Sequence, residues 1–419
     1  MQNAQGRPVF YGWYVVAATI LLLLVAAGVR SVPGIMLVPI MQDTGWDRSA
    51  VSLAISLGLI VFGLGSPFAG GLIGRFGPRR VAVAGIVLMA LSSAISAAMR
   101  EIWQMDLVWG ALSGLSTGLG GAVIGASVAN RWFYTKRGLV SGIFGAATAA
   151  GQLIFTPALT GLVLGLGWRT TSLIVAGIAA IIVVPVWLIM RDEPADKGLL
   201  PYGAPASDVV APPARSQSPT GSVMSGALRS PTFWMLAGTF FVCGFSSNGI
   251  IGTHFMAYAA DCGLGALTAA GLLSVMGVMN FAGTMGSGWL TDRVDPRKLL
   301  LVYYVFRGAS LLLLPLFTEE VGLSFFMILF GLDYIATVPP TQVLVADNFG
   351  RKNVGLVYGW VFCAHQLGAA LSSALGGAIR EQFGAYGFAF AVTGVMAIVA
   401  GVVALRITRP APLAFPSSG

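Results

Sequence analysis

The chain has 419 residues, of which 56% are apolar and 10% charged, with a mean hydropathy of +0.83; a soluble domain carries charge on roughly a quarter of its residues. This excludes a large soluble domain, because twelve spans of ~20 residues would occupy about 240 positions and the apolar share of this chain supplies that many. The net charge of +8 raises nucleic acid as a partner, but in a polytopic chain the loops that hold the positive residues decide what basicity means.

The apolar run from Gly12 to about Pro39 is longer than a signal h-region and lacks an A-x-A-like cleavage site, so it is expected to remain as the first span. Apolar stretches between charged or Pro/Gly-rich breaks predict five more helices near 50–74, 81–99, 105–129, 138–166 and 170–190. A proline-rich polar segment from Arg191 to Arg229 follows and is expected to be a poorly ordered linker. Six further helices are predicted near 232–258, 267–290, 299–317, 322–344, 355–379 and 386–407. The expected division is a six-helix bundle over 1–190, a cytoplasmic linker over 191–230 and a second six-helix bundle over 231–419.

Of the 24 Lys and Arg, 18 fall in one alternating set of loops and termini, four (Arg48, Arg100, Arg169, Arg380) in the other, and two inside spans. The first set is therefore expected to face the cytoplasm, with both termini, in a bacterial-type inner membrane. Basicity here means orientation, and no nucleic-acid partner is expected. Glycine, at 56 residues, is nearly twice its usual ~7%, which suits helices that approach through small residues. The three cysteines, Cys243, Cys262 and Cys363, are too few and scattered for a disulfide framework or metal cluster and read as small apolar filler.

The two halves repeat. Asp43-x-Gly45 matches Asp261-x-Gly263, and Gly70 with Pro78-Arg79-Arg80 matches Gly288 with Pro296-Arg297-Lys298, all at an offset of 218. Gly138-Leu139-Val140-Ser141-Gly142 matches Gly355-Leu356-Val357-Tyr358-Gly359 at 217. Each match sits at the same place relative to a span.

These residues resemble the major facilitator superfamily, whose signature after the second helix is G-x-x-x-D-R-x-G-x-R-R. The first copy reads Gly70-Gly71-Leu72-Ile73-Gly74-Arg75-Phe76-Gly77-Pro78-Arg79-Arg80, with Gly74 in place of the aspartate. The second reads Gly288-Trp289-Leu290-Thr291-Asp292-Arg293-Val294-Asp295-Pro296-Arg297-Lys298, with Asp295 in place of the later glycine. Glycines permit the tight turn, and the basic residues anchor at the cytoplasmic surface and can bond the carbonyl end of a neighbouring helix. Arg75, Arg79, Asp292, Arg293 and Arg297 are thus candidates for a conformational latch; the alternative is a positively charged loop with no gating role. Tyr11-Gly12-Trp13-Tyr14-Val15-Val16, Asn130-Arg131-Trp132-Phe133 through Lys136-Arg137-Gly138, and Arg191-Asp192-Glu193-Pro194 resemble the monocarboxylate and oxalate/formate transporter group. The resemblance implies an all-α membrane protein with 12 transmembrane helices in two pseudo-symmetric six-helix bundles, rocking around a central cavity. That cavity would be lined mainly by the first, second, fourth and fifth helices of each half and would carry small organic anions.

A charge at the centre of a membrane helix costs ~2.5–3.5 kcal/mol on insertion scales, which makes such residues functional candidates. Arg30, two thirds of the way across the first span, reads either as a carboxylate clamp, since guanidinium presents a rigid fork, or as a residue that snorkels to the outer interface. Arg307 and Asp333 lie 12 residues before Glu319 and 13 after Glu320, which at ~1.5 Å per residue puts both roughly 18–20 Å below the outer surface. Equal depth allows a pair, read as a proton-coupling switch like the arginine–acid pair of lactose permease or as a permanent structural bridge. His254 and His365 read either as substrate or proton candidates or as satisfied helix-packing residues. Asn248, Asn280, Tyr334, Tyr358, Gln152 and Gln366 are cavity donors or interhelical hydrogen bonds. Monocarboxylate transporters carry an arginine in the eighth helix, whereas here that span has no charge and its most polar centre is Asn280.

No G-x-x-x-x-G-K-[ST] loop, nucleophile with its base, or His/Cys cluster appears, so no enzyme, cofactor, metal or ATP coupling is expected. The reading is a monomeric secondary transporter of small organic anions, monocarboxylates foremost, by proton coupling or anion exchange. The alternatives are a proton-driven exporter of amphipathic compounds and a transporter-fold sensor.

Overall fold

The computed structural model describes residues 9–205 and 220–408. Its apolar stretches form the spans α1 (Gly12–Thr44), α2 (Ala50–Phe76), α3 (Pro78–Ser96), α4 (Ile102–Trp132), α5 (137–166), α6 (168–189), α7 (Pro231–Asp261), α8 (Leu267–Thr291), α9 (Pro296–Leu316), α10 (Glu320–Phe349), α11 (Arg351–Phe383) and α12 (Gly387–Leu405). The chain turns from α5 into α6 at Gly167, whose φ of 78° belongs to the left-handed region that glycine enters freely. In lipid every span must satisfy its own backbone, which is why helices carry the whole crossing.

Two stretches wind more loosely, as π-helix: Asp106–Ser113 in α4 and Phe245–Ile251 in α7. One extra residue in such a turn rotates everything beyond it by about 100°.

The halves meet along two seams, α2 against α11 and α5 against α8, and the repeat seen in the sequence is what joins them. Gly70 abuts Gly355, and Gly138 abuts Gly288; each contact pairs a glycine of one motif with a glycine of the other motif in the opposite half. A Cβ at Gly70 would overlap the Gly355 carbonyl and the Leu356 backbone, so glycine is required there.

Both seams tighten toward the face that carries the linker. There Arg137 pairs with Asp347 at 2.8 Å, Lys352 reaches Glu193 at 3.7 Å, and Arg351 donates to the carbonyls of Asn130 and Phe133. At the opposite face, the ion pairs among the described residues stay within one half each: Arg169 with Asp43, and Arg380 with Asp261. The cavity between the halves is therefore closed toward the linker face.

The described ends of the linker depart from the expected poorly ordered segment. Pro194–Lys197 forms a 3-10 turn, and Tyr202 docks beside Phe133, its N–H donating to Trp132 O at 2.8 Å and its ring packed by Phe10, Trp13 and Phe133. Thr220–Arg229 is helical. One aromatic ring, given an apolar slot, outweighs the surrounding proline-rich composition. The middle of the expected linker, 206–219, lies outside the described residues, as do Arg7, Arg215 and Arg409 of the positive set.

Candidate functional site

Midway through the structure a cavity with an empty volume of about 1120 Å³, counting solvent at its open side, separates the halves. Its wall comes from α1, α2, α4, α5, α7, α10 and α11. No α8 residue takes part, contrary to the lining implied by the family resemblance. The glycine-rich faces of α8 are spent on backbone contacts: Gly283 lies against Leu332 of α10, and Thr284 and Gly288 against Gly142 of α5.

Arg30 reaches this cavity from α1. Its guanidinium lies 5.8 Å from the ring centroid of Phe62, and no acidic side chain pairs with it among the described residues. The helix it stands on is otherwise apolar for most of its length, so the cavity is where this charge can be hydrated or neutralised. At the repeat offset of 218, the α7 residue equivalent to Arg30 is Asn248, and it too faces the cavity, from the π-helical stretch. The two bundles thus present a cation and an amide from corresponding positions.

Around them stand Gln152 of α5, Tyr334 of α10, and Tyr358, His365 and Gln366 of α11. Tyr334 donates to Asn248 Oδ1 at 2.8 Å, and His365 Nδ1 meets Gln366 Oε1 at 2.9 Å. Ser141 Oγ, also in the wall, is buried without a hydrogen-bond partner among the described residues. The remaining wall is apolar, with Phe62, Phe144, Phe240 and Phe362 prominent. A small ligand with one anionic end and an apolar body matches such a surface.

Two residues expected to bind substrate do not reach the cavity. His254 packs against α11 and the start of α12, with Nε2 at 2.8 Å from Ser373 O and Nδ1 at 3.2 Å from Tyr386 Oη. Since a carbonyl only accepts, Nε2 carries the hydrogen and Nδ1 receives the tyrosine proton. The π-helical stretch just before His254 turns it away. Asn280 is buried on α8, its Oδ1 accepting from Thr284 Oγ1 at 3.1 Å.

Arg307 and Asp333 meet, but behind the cavity wall. Arg307 Nε donates to Asp333 Oδ2 at 2.6 Å, and Nη2 donates to Asp333 O at 2.7 Å, both side chains being essentially inaccessible. Asp333 Oδ1 has no hydrogen-bond partner among the described residues. At the offset of 218 the first half has Met89 in place of Arg307, fully buried in its apolar core, so this charge has no counterpart there. The reading of the cysteines as filler does not hold for Cys243. Its Sγ accepts from Arg307 Nη1 at 3.2 Å, lies 3.0 Å from Thr337 Oγ1, and borders the cavity. The available signal was its position one turn before Asn248, on a helix already carrying polar residues at 246–248.

Of the five latch candidates, only Asp292 spans the halves among the described residues. It accepts from Gly138 N at 2.7 Å and Leu139 N at 2.8 Å, the free N–H groups that open α5. Loss of hydration in the seam pushes its carboxyl above the ordinary range, with the two N–H bonds working against that rise. Arg79 instead donates to Trp187 O and lies over the Trp187 ring, while its backbone N–H bonds Asp192, tying α3 to the end of α6. Burial likewise pushes Asp192 upward. Arg75 lies over Phe76, Arg293 over Trp289, and Arg297 grips Asp295 at 2.7 Å, all within one half. In the half-to-half contact opposite the first copy, which lacks the aspartate, Arg137–Asp347 and Arg351 hold the α10–α11 end against α4 and α5.

A family profile described as Major Facilitator Superfamily matches residues 19–336 and 281–419. The chain is 27% identical to "Monocarboxylate transporter 12-B" of Danio rerio, over 95% of this chain and 87% of that protein. It is 26% identical to "Oxalate:formate antiporter" of Oxalobacter formigenes, over 95% and 93% of the respective chains. Among solved structures it superimposes on the transporter FucP in its outward conformation with a TM-score of 0.71 at 18% identity, covering 95% of this chain and all of the other. That likeness concerns the fold.

Proposed function

Because this chain belongs to the major facilitator superfamily of membrane transporters, we propose that it carries small organic anions, monocarboxylates foremost, across the membrane by alternating access. One observation carries the reading: a guanidinium, Arg30, faces the central cavity with no acidic partner among the described residues, ringed by neutral donors and an apolar wall. An intramembrane charge is costly, and a substrate carboxylate would supply the missing counter-charge through bidentate hydrogen bonds. The names of the relatives, a monocarboxylate transporter and an oxalate:formate antiporter, support an acid as cargo. An exporter of bulky amphipathic compounds would have little use for such a group. The positive residues support a cytoplasmic linker face in the inner membrane, so that the cavity here opens outward, and the chain acts as a monomer.

Energy enters through Asp333. Its unpaired, buried Oδ1 supports a proton-accepting role, since neutralising a buried carboxylate removes much of its desolvation cost. Under this reading Asp333→Asn loses uphill uptake driven by a pH gradient but still exchanges substrate between equally loaded compartments.

Calorimetry with short monocarboxylates on purified protein tests the anion site. Losing a charge-assisted bond costs ~1.5–3 kcal/mol, so Arg30→Gln is expected to weaken binding roughly ten- to a hundred-fold with folding retained, and Arg30→Lys to be impaired because a point charge lacks the fork. Unchanged affinity in Arg30→Gln removes the proposal.

A further inference from the structure

Behind the cavity wall, one guanidinium serves two acids. Arg307 directs Nε to Asp333 Oδ2 at 2.6 Å and Nη1 to Cys243 Sγ at 3.2 Å, with Ser246 Oγ at 3.3 Å on the same nitrogen. The thiol is not isolated: it forms part of the cavity wall, and on its inner side it meets Thr337 Oγ1 at 3.0 Å. That last contact works in either direction, because a thiol donates to the hydroxyl oxygen while a thiolate accepts the hydroxyl hydrogen. The imidazole of His365, also in the cavity wall, neighbours the thiol. Its Nδ1 faces the Gln366 oxygen, an acceptor, which leaves Nε2 as the basic nitrogen.

We propose that Cys243 is a proton-exchanging group that shares Arg307 with Asp333 and connects that carboxylate to the cavity. This rests on the reading that Asp333 couples transport to protons.

In one state Cys243 is a thiol and Asp333 a carboxylate held by Arg307 Nε. In the other, the S–H bond has broken, an O–H bond has formed at Asp333 Oδ1, and the thiolate takes Arg307 Nη1 and the Thr337 hydroxyl as its donors. One proton moves from Sγ to Oδ1, no electrons are transferred, and the three side chains keep the same total charge. The oxygen that receives the proton is the one with no partner among the described residues. The thiolate is then reprotonated from the cavity by way of His365 Nε2. Arg307 is never left without an anion, which avoids the large cost of an uncompensated buried charge. The other titratable groups facing this cluster are Tyr303 and Tyr304 from α9, Tyr334 from α10, Tyr358 from α11 and, across the cavity, Arg30; α8 carries no titratable side chain.

The test uses full-length protein with Cys262→Ser and Cys363→Ser, so that Cys243 is the only thiol. Alkylation by iodoacetamide is followed by mass spectrometry between pH 6 and 8.5, with and without Asp333→Asn. Removing the competing carboxylate leaves the thiolate as the sole counter-ion of Arg307, and the rate at pH 7 is expected to rise tenfold or more, because the thiolate is the reacting species. In liposomes, Cys243→Ser and Cys243→Ala are each expected to lower the ratio of pH-driven accumulation to exchange by tenfold or more. Serine keeps the hydrogen bonds but does not ionise, so a purely structural role would be rescued by serine. Full accumulation in Cys243→Ser, or an unchanged alkylation rate in Asp333→Asn, overturns the proposal. If Asp333→Asn accumulates substrate normally, the coupling reading itself falls; if Asp333→Asn fails while Cys243→Ser matches the parent, only the role of Cys243 is lost.

Discussion

Asp292 joins α8 to the first turn of α5 at the linker face through two bonds that a single substitution removes, and it is expected to stabilise the closed face. In Asp292→Ala the closed state loses the acceptor for Gly138 N and Leu139 N and the anion at the N-terminus of α5. An orphaned donor costs about 1–3 kcal/mol when buried, and the helix-end interaction adds about 0.3–1 kcal/mol. Asp292 is exposed, so solvent screens its charge and water can reach the freed N–H groups; the low end of each range applies. Relief of the burial that raises its carboxyl returns a further part. The net destabilisation of closure is about 1–2 kcal/mol, or roughly five- to thirty-fold in the equilibrium between closed and open linker faces. Spin labels at Lys136→Cys and Arg293→Cys, in a background with Cys243, Cys262 and Cys363 each replaced by serine, report that equilibrium as a distance distribution. Growth of a longer-distance population in Asp292→Ala is the expected result. A distribution superimposable on the parent's would show that the carboxylate closes nothing.

Gly70→Ala places a methyl group against the Gly355 carbonyl and Leu356 backbone, neither of which can yield, so it is expected to abolish closure of the linker face in the same distance measurement and to stop transport while sparing expression. Loss of hydration raises the proton affinity of Asp292 in this closed face, so protons are expected to favour it over an open face in which the carboxyl is hydrated: that contribution is fully present below the ordinary carboxylate value of ~3.9 and is lost as pH rises through the raised value. Between pH 7 and pH 4 the closed fraction should therefore grow, and Asp292→Asn should flatten the change; growth with rising pH would reverse the sign and refute it. His254→Ala leaves Ser373 O and Tyr386 Oη without their partner and is expected to cost about 1–3 kcal/mol of stability in thermal unfolding while substrate affinity by calorimetry stays as in the parent. A tenfold loss of affinity would return His254 to the cavity.

Depth and order along each helix were legible in the chain because both are counted in one dimension. Hydropathy marked the spans, the break near 167 separated α5 from α6, and counting at ~1.5 Å per residue put Arg307 and Asp333 at one level, where they meet. The internal repeat also carried more than homology: its glycines turned out to be the very residues that touch across the two seams. Direction around a helix axis was not legible in the same way. It depends on tilt, on winding and on what the neighbour presents. His254 follows a π-helical stretch that rotates its face by about 100°, and Asn280 sits on a helix whose small residues commit it to α5 and α10. Cys243 looked apolar by residue type, and only the approach of α9 and α10 to α7 gave it an arginine and a threonine. The latch shows the same division: the motif placed several charges at the helix ends, whereas the packing of α8 against the first turn of α5 selected Asp292 as the one that joins the halves. Hydrophobic partitioning acts on each segment separately and is written into composition, while a shared cavity or hydrogen bond needs two surfaces whose mutual orientation exists only once all the helices have packed.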